Sequence, residues 1–288
     1  MFFRRSNLPA VFTCAVLTVT TFITPAMAQV NAGLRVSPAQ TAPSTQSPVQ
    51  QSSTDFTMRP SVTSSTLGAA VQTLPVTIIC FDLFTGAIIN NCNVSITPKP
   101  EAFSGGHDHD SPARPKGSFQ PSSGSTGTGG LSTTYTSPEV SGIIDVNLTG
   151  TAPDGTPLAP STFTIGVQID GLVALGPGAN YDLVGATTNH GNNHNALPTM
   201  NATLGNLADS YAAAFPNQRV AYNDMSLPTG GLFDISGAWS KPHTSHRFGN
   251  DADFRFPPVA QRRRARQIIY ASGISLIIVE GDHWHLRQ

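Results

Sequence analysis

The fold of the C-terminal half is decided by one stretch of sequence, His243-Thr244-Ser245-His246-Arg247-Phe248-Gly249-Asn250-Asp251-Ala252-Asp253. A second short stretch, His283-Trp284-His285, follows close to the end of the chain. Imidazole nitrogen and carboxylate oxygen are ligands of catalytic zinc, which is held by three protein ligands and keeps a fourth position open for water. His246, Asp253 and His285 would supply the three ligands. The two stretches together therefore predict a Zn²⁺ site.

The neighbours of the three predicted ligands also carry chemistry. His283 lies two residues before His285, so on a β-strand the two side chains would point to the same face. We therefore predict His283 as the catalytic residue that acts on the water at the metal. His243 and Asp251 could orient a ligand ring by hydrogen bonding. Arg287 could bind a substrate carboxylate, although an ordinary salt bridge is an equal alternative.

The composition limits how much of the chain can form a packed core. Only 11% of the 288 residues are charged, and the chain contains 26 glycines and 23 prolines. We therefore expect the long Ser/Thr/Gln stretches to lie outside any core. The formal net charge is −1, so charge gives no case for binding to nucleic acid.

The N-terminal residues have the three parts of a secretory signal. Arg4-Arg5 is followed by an apolar run from Val11 to Ile23 and by the small-residue cleavage site Ala26-Met27-Ala28. We predict a signal peptide over residues 1–28 and export to the periplasm or the extracellular space. No later stretch is long and apolar enough to span a bilayer, so no membrane span is expected after removal of the signal. Residues 29–72 are rich in Gln, Ser, Thr and Pro and predict a disordered linker.

Residues 73–185 predict an immunoglobulin-like β-sandwich. Short runs rich in β-branched and aromatic residues alternate with Gly, Pro and Ser turn signals, as in an antiparallel sandwich. The strand candidates are residues 76–81, 92–97, 131–136, 142–148 and 163–169. Cys80 and Cys92 are an even pair in an exported chain, which favours a disulfide worth roughly 3 kcal/mol. Two buried thiols are the alternative.

Further histidines lie outside the predicted zinc site. Gly105-Gly106-His107-Asp108-His109-Asp110 could attract a divalent cation, but it lies in a Gly/Ser/Pro-rich stretch with no matching second cluster. We interpret it as a solvated loop or a strand edge. His190 and His194 stand in a polar Asn/Gly run that we interpret in the same way, at the junction between the two domains.

Residues 186–288 predict an α+β domain with a small antiparallel sheet. An apolar face at helical spacing predicts a helix that Pro216 ends; its residues are Leu204, Leu207, Ala208, Tyr211 and Phe215. A short strand follows over residues 219–223. A second helix is expected from Pro258 to about Tyr270, with Gly273 as its stop. Residues 274–279 predict a buried strand that leads into His283.

The C-terminal motifs resemble those of a known enzyme superfamily. The matching segments are Asp224-Met225-Ser226-Leu227-Pro228-Thr229-Gly230-Gly231, His243-Thr244-Ser245-His246, Gly249, Asp251-Ala252-Asp253 and His283-Trp284-His285-Leu286-Arg287. They resemble the penicillin-insensitive murein endopeptidases, within the zinc superfamily of the D-Ala-D-Ala peptidases and the hedgehog domain. The resemblance implies that His246, Asp253 and His285 bind zinc and that His283 assists the water or stabilises the transition state.

Two functions follow as hypotheses. The first is an exported zinc metallopeptidase that hydrolyses peptide bonds in peptidoglycan, of the endopeptidase or D,D-carboxypeptidase type. The alternative is a cell-surface or wall-binding protein whose zinc domain is structural or a pseudoenzyme, because the hedgehog domain implies that such a site need not carry peptidase activity. The sequence leaves open the oligomeric state and the bond that is cut.

Overall fold

The computed structural model describes residues 73–81, 87–240 and 245–288, together with the backbone of five short strands within residues 13–70. Apart from those strands, the predicted signal peptide and linker lie outside the described residues, and so does His243. The described chain is mostly β-sheet, with two α-helices. In this part of the chain no helix is long and apolar enough to cross a membrane.

The strands are numbered here in chain order. The first thirteen are β1 (Thr13–Ala15), β2 (Val49–Gln50), β3 (Asp55–Met58), β4 (Ser61–Thr63), β5 (Thr66–Ala70), β6 (Thr73–Phe81), β7 (Ile88–Ile89), β8 (Asn93–Pro100), β9 (Ser118–Gln120), β10 (Ser123–Ser125), β11 (Leu131–Thr136), β12 (Gly142–Thr151) and β13 (Ser161–Val167). The remaining seven are β14 (Val173–Ala174), β15 (Tyr181–Leu183), β16 (Asn195–Ala196), β17 (Val220–Tyr222), β18 (Asp251–Arg255), β19 (Leu276–Val279) and β20 (His283–Arg287).

The first half contains two sheets with a shared core. One sheet has the order β1-β6-β11-β9, with β7 added to β6, and the other has the order β10-β8-β12-β13-β3-β2. Buried and solvent-facing residues alternate along β12, as expected when one face of a strand is packed. Ile78 of β6 and Leu148 of β12 belong to the same hydrophobic cluster. All five strand candidates lie on strands of these sheets, whereas the immunoglobulin-like topology stays a prediction.

The structure does not contain the predicted disulfide. Cys80 and Cys92 are buried thiols, as in the alternative interpretation. The strands β6 and β8 belong to opposite sheets. Burial, together with the adjacent Cys80, raises the pKa of the Cys92 thiol to about 11. A high pKa disfavours the thiolate that disulfide formation requires.

The second half is a five-stranded sheet with two helices. The sheet order is β15-β17-β18-β20-β19. Because β15 is parallel to β17, the sheet is mixed and not purely antiparallel as predicted. The helices are α1 (Pro198–Ala214) and α2 (Arg262–Ala271), and a 3₁₀ turn (Val259–Gln261) precedes α2. The core under the helices already includes Leu175, which precedes the predicted domain boundary.

The sequence signals explain where these elements begin and end. A proline in the first turn suits the start of α1 because its missing N–H has no helical partner there. The predicted apolar face of α1 is buried, including Leu204 and Tyr211, and the helix ends just before Pro216. The prediction that residues 274–279 are buried is wrong for β19. Among the described strands it pairs with β20 at the edge of the sheet, so Ile278 and Val279 are 41% and 59% exposed.

A glycine turn of the second half packs against the first half. Gly230 and Gly231 have φ values of +69° and +75°, in the left-handed region that glycine adopts without strain. A Cβ on Gly230 would lie 2.6 Å from the Arg247 carbonyl oxygen. Ser141, in the residues before β12, donates a hydrogen bond to the Gly230 carbonyl at 2.5 Å. Buried Arg247 forms a 3.0 Å salt bridge with Glu139, so contacts between the halves adjoin the predicted metal ligands.

Truncation of Leu148 should test the core that the two sheets share. Leu148→Ala removes a fully buried side chain and should lower the free energy of unfolding by about 2–5 kcal/mol. Ile143→Ala on the same strand is the matched control, because Ile143 is 40% exposed and its loss should cost about 1 kcal/mol or less. Denaturant unfolding measures both values. Equal effects of the two substitutions would contradict the packing described here.

Candidate metal centre

The pairing of β18 with β20 brings together most of the predicted site. In the antiparallel register, Asp253 is opposite His285. Residues directly opposite one another, and residues two apart on one strand, share a face of the sheet. One face therefore carries a row of polar side chains from both strands: Asp251, Asp253, Arg255, His283, His285 and Arg287.

His246 reaches the same point from the loop that precedes β18. Its Nε2 lies 3.2 Å from Asp253 Oδ1, and His285 Nδ1 lies 3.0 Å from the same oxygen. All three residues are buried. His246 has a φ of +61°, a strained conformation of the kind found at functional sites. Ser226 supports it by donating a hydrogen bond to the His246 carbonyl at 2.7 Å and accepting one from the Gly249 N–H at 2.9 Å.

The three donor atoms fit a tetrahedral metal site with an open position. Bonds of about 2.0 Å in a tetrahedron place neighbouring ligand atoms about 3.3 Å apart, close to the 3.2 and 3.0 Å observed. His246, Asp253 and His285 form one of the groups whose ligand atoms all lie within 4.8 Å of one another. The structure thus contains His/Asp groups positioned to hold a metal ion. Two nitrogens and one oxygen are a donor set that suits zinc.

The other predicted site residues surround this group. His283 Nε2 lies 3.2 Å from Asp253 Oδ2, and the His283 side chain as a whole retains 14% exposure. His285 Nε2 lies 2.8 Å from Asp251 Oδ1. Arg287 donates a 2.6 Å hydrogen bond to that same oxygen, so this side chain forms a salt bridge. Asp251 is therefore placed to orient the His285 ring and leave Nδ1 for a metal.

Electrostatics within the group favour the protonated forms of His283 and His285 and the ionised forms of Asp251 and Asp253. Asp253 above all, and then Asp282, raise the pKa of His283 to about 9. Burial alone would lower the pKa of His285, but Asp251 and Asp253 outweigh it and raise the pKa to about 9. Burial would likewise raise the pKa of Asp253, but the surrounding histidines hold it well below its ordinary value. Burial raises the pKa of the nearby Asp224.

The structure also contains a second group of potential metal ligands, which the sequence did not predict. His107, His109, His190 and Asp234 lie together, with His107 and His190 fully buried. The interpretation as solvated segments is therefore wrong for His107 and His190, whereas Asp108 and Asp110 of the same loop are exposed. The His-Asp-His run was a visible signal, but nothing in the sequence connected it with His190 or Asp234. Burial lowers the pKa of His107 and of His109. His194 lies apart from the group, and its Nε2 is 2.8 Å from the Val184 carbonyl oxygen.

Comparison with known proteins does not assign the chain to a family. No model of a protein family matches the chain, and no curated protein matches it either. The resemblance to the murein endopeptidases therefore rests on the motif residues quoted above.

Zinc binding should release a proton from His285. With a pKa of about 9 in the metal-free protein, the ring is protonated at pH 7, and a histidine ligand must be deprotonated. We expect His285 to contribute about one proton to the total released at pH 7, and this contribution should decline toward zero as the pH rises above about 9. Calorimetric titration in buffers of different ionisation enthalpy measures this number. Asp251→Asn removes a group that raises the pKa of His285, so it should release fewer protons; a binding heat independent of the buffer would contradict the prediction.

Proposed function

We propose that the protein is an exported zinc metallopeptidase that hydrolyses peptide bonds in peptidoglycan, of the endopeptidase or D,D-carboxypeptidase type. The observation that carries the proposal is the buried convergence of His246 Nε2, Asp253 Oδ1 and His285 Nδ1, with the partly exposed His283 beside them. Three ligands with an open position are typical of catalytic zinc, whereas structural zinc is usually held by four. The choice of peptidoglycan as substrate is supported by the resemblance of the motif segments.

Zinc, when bound, supplies Lewis-acid polarisation of a carbonyl and lowers the pKa of a water to about 7. His283 contributes a proton at Nε2. Asp282 Oδ1 lies 2.9 Å from His283 Nδ1, which fixes the ring and favours its protonated form. A protonated His283 can therefore stabilise negative charge that develops on the scissile carbonyl oxygen, or give its proton to the leaving amine.

The surrounding residues hold this arrangement in place. Asp251 is tied to both His285 and Arg287, so the orientation of the ligand ring depends on a buried ion pair. Asp224 lies on the other side of the group: Asn193 donates a 2.8 Å hydrogen bond to its side chain, and its carbonyl accepts the Asp253 N–H at 2.9 Å. The ligands are thus held by the buried side chains of Asp251, Asp224 and Asn193 and by the backbone.

Substitution of His283 should separate chemistry from metal binding. In His283→Ala we expect zinc binding to be kept and the release of soluble fragments from purified peptidoglycan to fall by about 10²–10⁴-fold, the usual contribution of a general acid or base. Arg263→Ala, at an exposed position on α2, is the matched control and should keep wild-type activity. Turbidity of the peptidoglycan suspension and mass spectrometry of the soluble products measure the effect.

The products also distinguish the candidate functions. Cleaved cross-links would identify an endopeptidase, and release of a terminal D-amino acid would identify a carboxypeptidase. Zinc-loaded wild type that sediments with the wall and releases no fragments would overturn the peptidase and favour the wall-binding alternative.

A further inference from the structure

A second group of potential ligands lies where three separate segments meet. His107 and His109 come from the loop between β8 and β9 of the sandwich, His190 from the segment between β15 and β16, and Asp234 from the segment between β17 and β18. His107, His190 and Asp234 are completely buried. Four ionisable side chains from distant parts of the sequence thus converge on one point away from solvent.

The distances within this group match a closed tetrahedron. His190 Nε2 lies 3.2 Å from His107 Nδ1, 3.3 Å from His109 Nε2 and 3.2 Å from Asp234 Oδ1. Asp234 Oδ1 is also 3.3 Å from His107 Nδ1 and from His109 Nε2. Five of the six edges therefore equal the spacing of about 3.3 Å expected around a metal with bonds of about 2.0 Å.

Hydrogen bonds alone do not account for these contacts. A neutral imidazole carries one proton on one of its two ring nitrogens, yet His190 Nε2 is in close contact with three other donor or acceptor atoms. The His107–His190 and His109–His190 pairs bring ring nitrogens, each with at most one proton, to a common centre. A cation at that centre would satisfy all four atoms at once.

We propose that His107, His109, His190 and Asp234 form a second metal site, a closed four-ligand Zn²⁺ site with a structural role. This site goes beyond the proposed peptidase activity. Four protein ligands leave no position open for water, which is the usual difference between structural and catalytic zinc. Three imidazoles and one carboxylate suit zinc.

The surroundings fix the ligands of the second site. Asp234 Oδ2 accepts a 2.6 Å hydrogen bond from the Trp239 N–H, which turns Oδ1 toward the histidines. The Trp239 ring packs on His109 with 4.3 Å between centroids, and its Nε1 donates to Ser111 at 2.7 Å. Supporting contacts of this kind are typical of metal ligands.

The second site would fasten the sandwich to the catalytic half. Around it, Asp108 accepts a 2.6 Å hydrogen bond from the Gly191 N–H, and its own N–H donates to the Asn189 carbonyl at 2.8 Å. The neighbouring Phe233 packs edge-on against His190 at 4.9 Å and against His246 at 6.3 Å. One ring therefore lies between the two metal groups, and a metal at the second site would hold it in place.

Counting bound zinc in the purified protein tests the proposal. Native mass spectrometry should find about two zinc ions per wild-type chain, one in His107→Ala, one in His246→Ala and none in the double variant. Asp110→Asn is the matched control, because this exposed residue of the same loop is outside the group and should keep both ions. If His107→Ala does not fold, Asp234→Asn and His109→Ala provide the same comparison.

Trypsin gives an independent readout. Because a proline follows Arg114, the bond that trypsin can cut here is Lys116–Gly117. The Lys116 carbonyl accepts a 2.9 Å hydrogen bond from the Tyr135 hydroxyl, and the neighbouring Arg114 is 4% exposed and donates hydrogen bonds to the carbonyls of Glu101 and Ser104. The Lys116–Gly117 bond should therefore resist cleavage while zinc is bound. Chelation or His107→Ala should open that bond to cleavage, whereas His246→Ala should not. One zinc per wild-type chain, lost in His246→Ala and kept in His107→Ala, would overturn the second site. The count requires no hydrolysis of peptidoglycan, so failure of the proposed peptidase would leave it standing.

Discussion

The candidate metal centre depends on one constraint, the antiparallel register that places Asp253 opposite His285. The other face of the same two strands carries Phe254 and Trp284, whose stacked rings lie 5.8 Å apart within the core under the helices. A slip of one residue would exchange the two faces. It would push carboxylates and imidazoles into the apolar core and expose two large aromatic rings. Hydrophobic burial on one face thus fixes the positions of the ligands on the other.

The same burial creates an electrostatic problem that a metal would resolve. Asp224, Asp251 and Asp253 are all buried, and carboxylates removed from water need a compensating charge. In the metal-free protein, protonated His283 and His285 supply it, because their pKa values are raised to about 9. A raised pKa stabilises the folded state fully below the unfolded value of about 6.5, and this stabilisation is lost as the pH rises through about 9. A bound divalent cation would replace that pH-dependent charge with a fixed one.

Much of this architecture could be predicted from local patterns. The strands β11 and β12 and the apolar face of α1 follow from periodicity. The grouping of His246 and Asp253 with His285 follows from the residue types of two separate motifs. The failures concern information that is not local. The edge position of β19 depends on which strands pair, and the burial of Cys80 and Cys92 depends on the core that the two sheets share. The second group required the meeting of His107, His190 and Asp234, which lie on three segments far apart in the sequence.

The two metal groups differ in the number of ligand atoms that they offer, which is the property that distinguishes catalytic from structural zinc sites. The group at His246 offers three ligand atoms and lies beside a partly exposed histidine, whereas the group at His190 offers four and is almost closed. Anomalous diffraction at the zinc edge, from crystals of the zinc-loaded protein, tests the central claim most directly. The account predicts a peak about 2.0–2.2 Å from His246 Nε2, Asp253 Oδ1 and His285 Nδ1, with a fourth position that no protein atom fills. The absence of a peak at these three atoms, or a fourth protein ligand there, would contradict it.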